Sequence, residues 1–253
     1  MRYSHLIFRI YSVIVGFISS IYIPKRIRKT VFCFIGKKLL GMNDNDYLEM
    51  AKPLESYRNI DEFFTRPIDM TRRPLSSKAI VSPCDGTLID SGKVSEGVFT
   101  TVKGHKYGIL QLTKDSKISR MFKNASFYNI YLSPRNYHRL HCPCSGTVKE
   151  VSHIEGFSLP VNDWGQKIKG LYALNERYII NIESSDLKLL LVAVGAAAVS
   201  KIEISVIKGQ VVNKGDLLGI FHMGSSVVLF HDSHSGKSKM SPGKEVRVLS
   251  PFI

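Results

Sequence analysis

Three short stretches of the chain carry residue types that could do covalent or acid–base chemistry. In Gly224-Ser225-Ser226 a hydroxyl follows a glycine directly, between Phe221 and Met223 on one side and Val227-Val228-Leu229-Phe230 on the other. Glycine has no Cβ, so the Ser225 Oγ can approach the Gly224 carbonyl carbon if the turn is held tightly. Taken alone, a Gly-Ser pair between strands is also a common turn. In Tyr137-His138-Arg139-Leu140-His141-Cys142-Pro143 two histidines stand three apart, fit for proton transfer near neutral pH. With Cys142 or Cys144 the same histidines could ligate a metal, or they could be structural. In Ser82-Pro83-Cys84-Asp85-Gly86 the aspartate could merely close an Asx-turn. An Asp, a His and a Ser together can also form a nucleophile, base and orienter set, which is recognised by geometry rather than chain order.

The elements that must position these residues are mostly strands. From Arg58 onward, short β-branched and aromatic runs alternate with Gly, Pro, Asn and Ser, at Ala79–Val81, Gly86–Ile89, Phe127–Leu132, Gly146–Val151, Tyr178–Ile182, Leu187–Val194, Lys201–Val206, Leu217–Phe221 and Ser226–Phe230. Strands at this spacing predict a barrel or sandwich rather than a parallel α/β sheet. Pro83-Cys84-Asp85-Gly86-Thr87-Leu88 recurs sixty positions later as Pro143-Cys144-Ser145-Gly146-Thr147-Val148. A turn-then-strand unit used twice explains the echo, with Gly86 and Gly146 supplying turn geometry. The segment 209–219 is similar to the strand-turn-strand units of lipoyl and biotinyl barrels. The expected fold is therefore α+β, mainly β: N-terminal helices followed by a barrel-sandwich (lipoyl/biotinyl-like) β core.

The N-terminal part reads differently. The formal net charge of the 253 residues is +14, and no acidic residue precedes Asp44. Arg2, Arg9, Lys25, Arg26, Arg28, Lys29, Lys37 and Lys38 all lie before it, interleaved with apolar residues. That mixture suits an anionic bilayer, and no nucleic-acid-reading motif accompanies it. Between Leu6 and Pro24 the polar exceptions Arg9, Ser12, Gly16, Ser19 and Ser20 fall at helical spacing. This predicts an interfacial helix with its polar stripe toward water, stopped at Pro24. A membrane-spanning helix and a helix packed on the core are the alternatives. Further helices are expected over Thr30–Leu40 and Asp44–Met50. Cys33, Cys84, Cys142 and Cys144 show no secreted-type framework, which favours a reducing, cytosol-facing site.

In order along the chain, several segments together resemble the phosphatidylserine decarboxylase family over roughly residues 54–230. They are Ser56-Tyr57-Arg58, Phe63-Phe64-Thr65-Arg66-Pro67, Ser82-Pro83-Cys84-Asp85-Gly86 and Lys103-Gly104-His105-Lys106-Tyr107. After these come the long block from Tyr131 to Pro143, Asn175-Glu176-Arg177, Val194-Gly195-Ala196 and finally Gly224-Ser225-Ser226. The resemblance implies a self-cleaving triad of Asp85, His141 and Ser225. His141 would take the Ser225 proton, Asp85 would orient the ring, and Oγ would attack the Gly224 carbonyl. The ester so formed would break by β-elimination, and hydrolysis would leave a pyruvoyl group on the short chain (225–253) and a free carboxylate on the long chain (1–224). Through a Schiff base with that covalent pyruvoyl, phosphatidylserine would lose CO₂ to become phosphatidylethanolamine, with His138 delivering the proton.

Residues 1–53 are expected to be a membrane-association segment and 54–253 the catalytic domain, at a peripheral or monotopic position on the cytoplasmic face of the cell membrane. No metal is expected, and the resemblance implies a possible homodimer. The chain departs from the family in having Met223-Gly224-Ser225-Ser226 where Leu-Gly-Ser-Thr is usual, Ser200 in place of a glycine, and a shorter stretch between Ile202 and Gly224. Two other functions are compatible with parts of the sequence. A lipoyl- or biotinyl-type carrier would draw on the 209–219 segment, although Lys214 is not in the familiar setting, and a zinc hydrolase would use His138, His141 and a cysteine or Asp85.

Overall fold

The computed structural model describes residues 2–101, 103–162, 164–196, 201–233 and 241–252, with side chains from residue 10 onward. Ser200 lies outside the described residues. Helix α1 (Arg2–Ser20) ends before Pro24, which then stands as the N-cap of α2 (Lys25–Phe34). A π-type turn, Ile35–Leu40, prolongs α2 until Gly41, at φ 75°, stops it. Helix α3 (Asp44–Leu48) is closed at its start by a capping box between Asn43 and Asp46. Helix α4 (Ile60–Phe64) is capped by Asn59, whose side chain accepts from the Glu62 N–H.

Phe32, Ile35, Met42, Tyr57 and Phe63 form a small core shared by these helices. Of the polar stripe of α1, Ser20 faces water as the spacing suggested but Ser12 and Ser19 do not, and the Arg9 side chain lies outside the described residues. Ser12 and Ser19 are buried, while Ile10, Val13, Ile14, Phe17 and Ile18 are exposed. The small residues let α1 lie close to the protein, and the apolar side chains are left to point outward. Among the described residues no helix is long and apolar enough to cross a membrane.

The main sheet is antiparallel throughout and contains β1 (Gly86–Lys93), β4 (Ser126–Leu132), β6 (Gly146–Ile154), β7 (Arg177–Glu183), β8 (Lys188–Gly195), β10 (Val211–Val212), β12 (Ser225–His231) and β13 (Glu245–Val246), in the order β10-β6-β7-β8-β12-β4-β1-β13. A second sheet has the order β5-β11-β9, from β5 (Arg139–His141), β9 (Lys201–Ile204) and β11 (Leu217–His222). A hairpin of β2 (Val98–Thr100) and β3 (Lys106–Gly108) and the short helices α5 (Ile109–Thr113), α6 (Ser116–Met121) and α7 (Leu171–Leu174) complete the body. The molecule is thus α+β and mainly β. No closed barrel is found among the described residues, because the eight-strand order has two ends, and the expected barrel-sandwich goes unconfirmed. Ala79–Val81 is also not a strand; Val81 makes only an isolated bridge to Pro251.

The two faces of the main sheet differ. Ser226, Val228 and Phe230 share one face with Tyr131, Asn129 and Phe127, by the β12–β4 register and strand alternation. The hairpin covers this face, since the Phe99 ring lies 4.6 Å from Phe127 and 5.3 Å from Phe230. Ser225, Val227 and Leu229 point to the other face, where Phe252 packs on Tyr128.

The internal echo is a structural repeat with a physical signature. Each copy enters a strand at its glycine, β1 at Gly86 and β6 at Gly146. Neither glycine is there for turn geometry, since neither has a positive φ. A Cβ on Gly86 would lie 2.5 Å from the Tyr131 carbonyl oxygen, and one on Gly146 would lie 2.7 Å from that of Glu183. Close approach of the neighbouring strand is the constraint. The copies also bind each other reciprocally: the Val81 N–H donates to Pro143 O, and the His141 N–H donates to Pro83 O. Even the local turn repeats, with Ser82 Oγ donating to Cys84 O and Cys142 Sγ to Cys144 O.

Candidate active site

Strand β11 of the small sheet passes into β12 of the large one through two residues only, Met223 and Gly224. Both are left-handed, Met223 at φ 75° and Gly224 at φ 41°. Glycine takes that conformation freely, but for methionine it costs on the order of 1–2 kcal/mol. The Gly224–Ser225 junction therefore lies at a strained corner between sheets and not within an undisturbed strand. Ser225 opens β12, paired with Leu132 on one side and Gly195 on the other. Its side chain is wholly buried, and Oγ has no hydrogen-bond partner. An orphaned buried hydroxyl costs about 1–3 kcal/mol, a burden that reactive groups commonly carry.

His138 lies beside this corner. The Phe221 N–H donates to the His138 carbonyl, which sets His138 opposite the strand end two residues before Met223. Its Nδ1–H donates to Asn136 O at 2.8 Å, so Nε2 carries the free lone pair, and that atom is buried without a partner. The ring is 0% exposed, and burial pushes its pKa down to about 3, leaving it neutral. Phe64, the last residue of α4, closes over it with ring centroids 4.1 Å apart.

His141 is placed differently. It pairs with Leu217 at the far end of β11, about 17 Å along that strand from His222 at ~3.4 Å per residue. Its Nδ1–H donates to Gly215 O at 2.8 Å, and Nε2 accepts from the Tyr137 hydroxyl at 2.9 Å. Burial lowers its pKa, with the Gly215 carbonyl and the Asp85 charge opposing that effect.

Asp85 immediately precedes β1. Thr87, Tyr131 and Ser226 form one row across three adjacent strands, which puts Asp85 at the same edge as Ser225, two strands or about 10 Å away. Its carboxylate is held by Arg73 Nη1 and Nη2 at 2.7 and 3.0 Å, and by the Val248 N–H at 2.7 Å. Arg73 also binds Glu49 at 2.6 Å, and Glu49 pairs in turn with Arg247. A cavity of about 420 Å³ beside Asp85 is lined by Glu49, Arg73, Arg135 and Arg247 among others, and by neither His138 nor Ser225.

The structure thus gathers Asp85 and Ser225 at one edge of the main sheet and His138 at the corner itself. No hydrogen bond joins Asp85, His141 and Ser225 to one another among the described residues. Arg73, Tyr137 and Phe64 contact the candidate residues directly and were not singled out as such in the sequence. Tyr137 and Phe64 at least lie within the quoted motifs, whereas nothing marked Arg73. Among the described residues no group of three His, Cys, Asp or Glu side chains comes together as a metal site. Cys84, Cys142 and Cys144 are buried free thiols. The zinc alternative has no such cluster to build on. Lys214, the lysine of the carrier alternative, has its Nζ on the Lys78 carbonyl at 2.8 Å.

Comparison with known proteins adds independent findings. The family described as phosphatidylserine decarboxylase matches residues 60–252. The chain is 34% identical over 187 residues to a phosphatidylserine decarboxylase proenzyme of Halalkalibacterium halodurans, covering 73% of this chain and 72% of that one. It is 34% identical over 222 residues to the proenzyme of Acidovorax ebreus, covering 79% and 77%. With that of Alcanivorax borkumensis it shares 31% over 248 residues, covering 87% and 84%.

Proposed function

The chain belongs to the phosphatidylserine decarboxylase family, and from that premise we propose that its reacting carbonyl is a pyruvoyl group made from Ser225. The reaction is the one for which the relatives are named, conversion of phosphatidylserine to phosphatidylethanolamine with loss of CO₂. The observation that carries the pyruvoyl assignment is the buried, unpartnered Ser225 Oγ next to a left-handed two-residue corner. In self-cleavage Oγ adds to the Gly224 carbonyl carbon and the C–N bond breaks, leaving an ester and a free amine. Loss of the residue 225 α-proton expels the Gly224 carboxylate, and water then replaces the nitrogen as ammonia. The resulting ketone supplies an electron sink for the carboxyl group's departing electron pair.

Asp85, His141 and Ser225 are the proposed self-cleavage set, and His138 the proposed donor to the carbon that loses CO₂. For His141 to act at Ser225 its ring must give up the Tyr137 hydroxyl on Nε2 and also close the distance from the far end of β11. One observation favours a second reading. The free Nε2 of His138 is the nearer imidazole lone pair by strand register, so His138 could serve both steps.

Mass spectrometry of the purified protein decides between these. The wild type should give a long chain ending at Gly224 and a short chain carrying the pyruvoyl, and Ser225→Ala should remain intact and inactive. His138→Ala should cleave but fail to decarboxylate. An uncut wild type overturns the assignment, and an uncut His138→Ala selects the second reading.

The same reading divides the chain into a membrane-association segment at 1–53 and a catalytic part at 54–253. It places the enzyme peripherally on an anionic bilayer at the cytoplasmic face. The exposed Ile10, Val13, Phe17, Ile21 and Tyr22, with Lys25, Arg26 and Lys29 close behind them, support that placement.

A further inference from the structure

Ser225 and His138 are both 0% exposed, yet a lipid headgroup has to reach them. Something over the site must move. Phe64 lies directly on His138, and it ends α4, a single turn of helix. An element this short has little stability of its own and is held by its contacts.

Besides Phe64 on His138, an ionic contact fastens α4 to the corner. His222, the last residue of β11, donates from Nδ1 to Asp61 of α4 at 2.8 and 2.9 Å from its two oxygens. Its Nε2 faces Glu203 of β9 at 3.5 Å, an ion pair without hydrogen-bond geometry. Lys201 of β9, bound to Glu203, is the remaining charged group acting on it. Two carboxylates thus face one imidazole. Its charged form is favoured, chiefly through the Asp61 hydrogen bond and against the cost of burial, and its pKa is raised. At its other end α4 is tied by Arg139 Nε to Thr65 O at 3.0 Å, a contact that can act as a hinge.

We propose that His222 and Asp61 are positioning residues for substrate admission: their ion pair latches α4 and Phe64 over His138, and its release uncovers the site at the corner. This rests on Ser225 carrying the reacting carbonyl. A group with a raised folded-state pKa stabilises the closed form below that pKa and ceases to do so as pH rises through it. Above it Asp61 and Glu203 lose the cation between them, and α4 is freed.

Trapping of the pyruvoyl by hydroxylamine reads the opening directly. The ketone and the amine form an oxime with loss of water, seen as a mass change on the short chain. The trapping rate of wild-type enzyme relative to His222→Lys, which stays cationic, should rise about tenfold between about pH 6 and about pH 9. Using this ratio removes the reagent's own pH dependence. His222→Gln and Asp61→Asn should be trapped fast at both pH values, and with a short-chain phosphatidylserine should show a lower KM with kcat little changed. A flat wild-type to His222→Lys ratio overturns the latch, as does slow trapping of Asp61→Asn. Should His222→Gln fail to fold, Asp61→Asn and the wild-type pH series carry the same test. A wild type without a pyruvoyl-bearing short chain would instead remove the reading beneath it.

Discussion

Met223 is a non-glycine residue held left-handed beside the Gly224–Ser225 bond, the proposed point of cleavage. Met223→Gly should therefore keep or raise the stability of an uncleaved Ser225→Ala protein, while Met223→Val should cost about 1–2 kcal/mol in urea unfolding. A second residue-level test concerns Arg73. Its guanidinium holds the buried carboxylate of Asp85 beside the half-buried Glu49, and Arg73→Gln leaves Asp85 without its cation while Glu49 keeps Arg247. The loss should be about 3 kcal/mol in the same unfolding assay, and restoring charge with Arg73→Lys should recover part of it.

At the scale of elements, the repeat offers the sharpest test. Gly86→Ala and Gly146→Ala both drive a methyl group into a neighbouring strand's carbonyl. Each should lower the stability of the Ser225→Ala protein by about 1–3 kcal/mol, visible as a lower urea midpoint. The strand runs were legible because alternation and β-branching are local signals. The runs at Gly86, Phe127, Gly146, Tyr178, Leu187 and Leu217 all became strands. Helices α5, α6 and α7 were missed, each being four to six residues long with no full amphipathic repeat. The stripe of α1 was seen but the inward turn of Ser12 and Ser19 was not, because small polar residues suit a helix packing inward as well as one facing water. In the site, the motifs pointed to Asp85, His138, His141 and Ser225. The partners that hold them are Arg73 and carbonyls such as Gly215 O, and these depend on chain pairings that no local pattern encodes.

At the scale of the molecule, β12 lies between β8 and β4, with seven residues registered on each side. All seven are buried. A break at its first residue removes one covalent bond and leaves both ladders whole. The long and short chains should therefore co-elute in gel filtration and separate only in denaturant. Free short chain in native buffer would contradict this.

The two-residue corner joins a strand of one sheet to a strand of the other. Were it severed, the end of β11 and the start of β12 would no longer be bound to each other, while the chain running from β8 to β9 and from β4 to β5 would still join the two sheets beside the break. On the proposed cleavage, scission would then do more than unmask a carbonyl. It would turn a rigid joint into a seam, and relaxation of the methionine's left-handed backbone would work against the bond being remade.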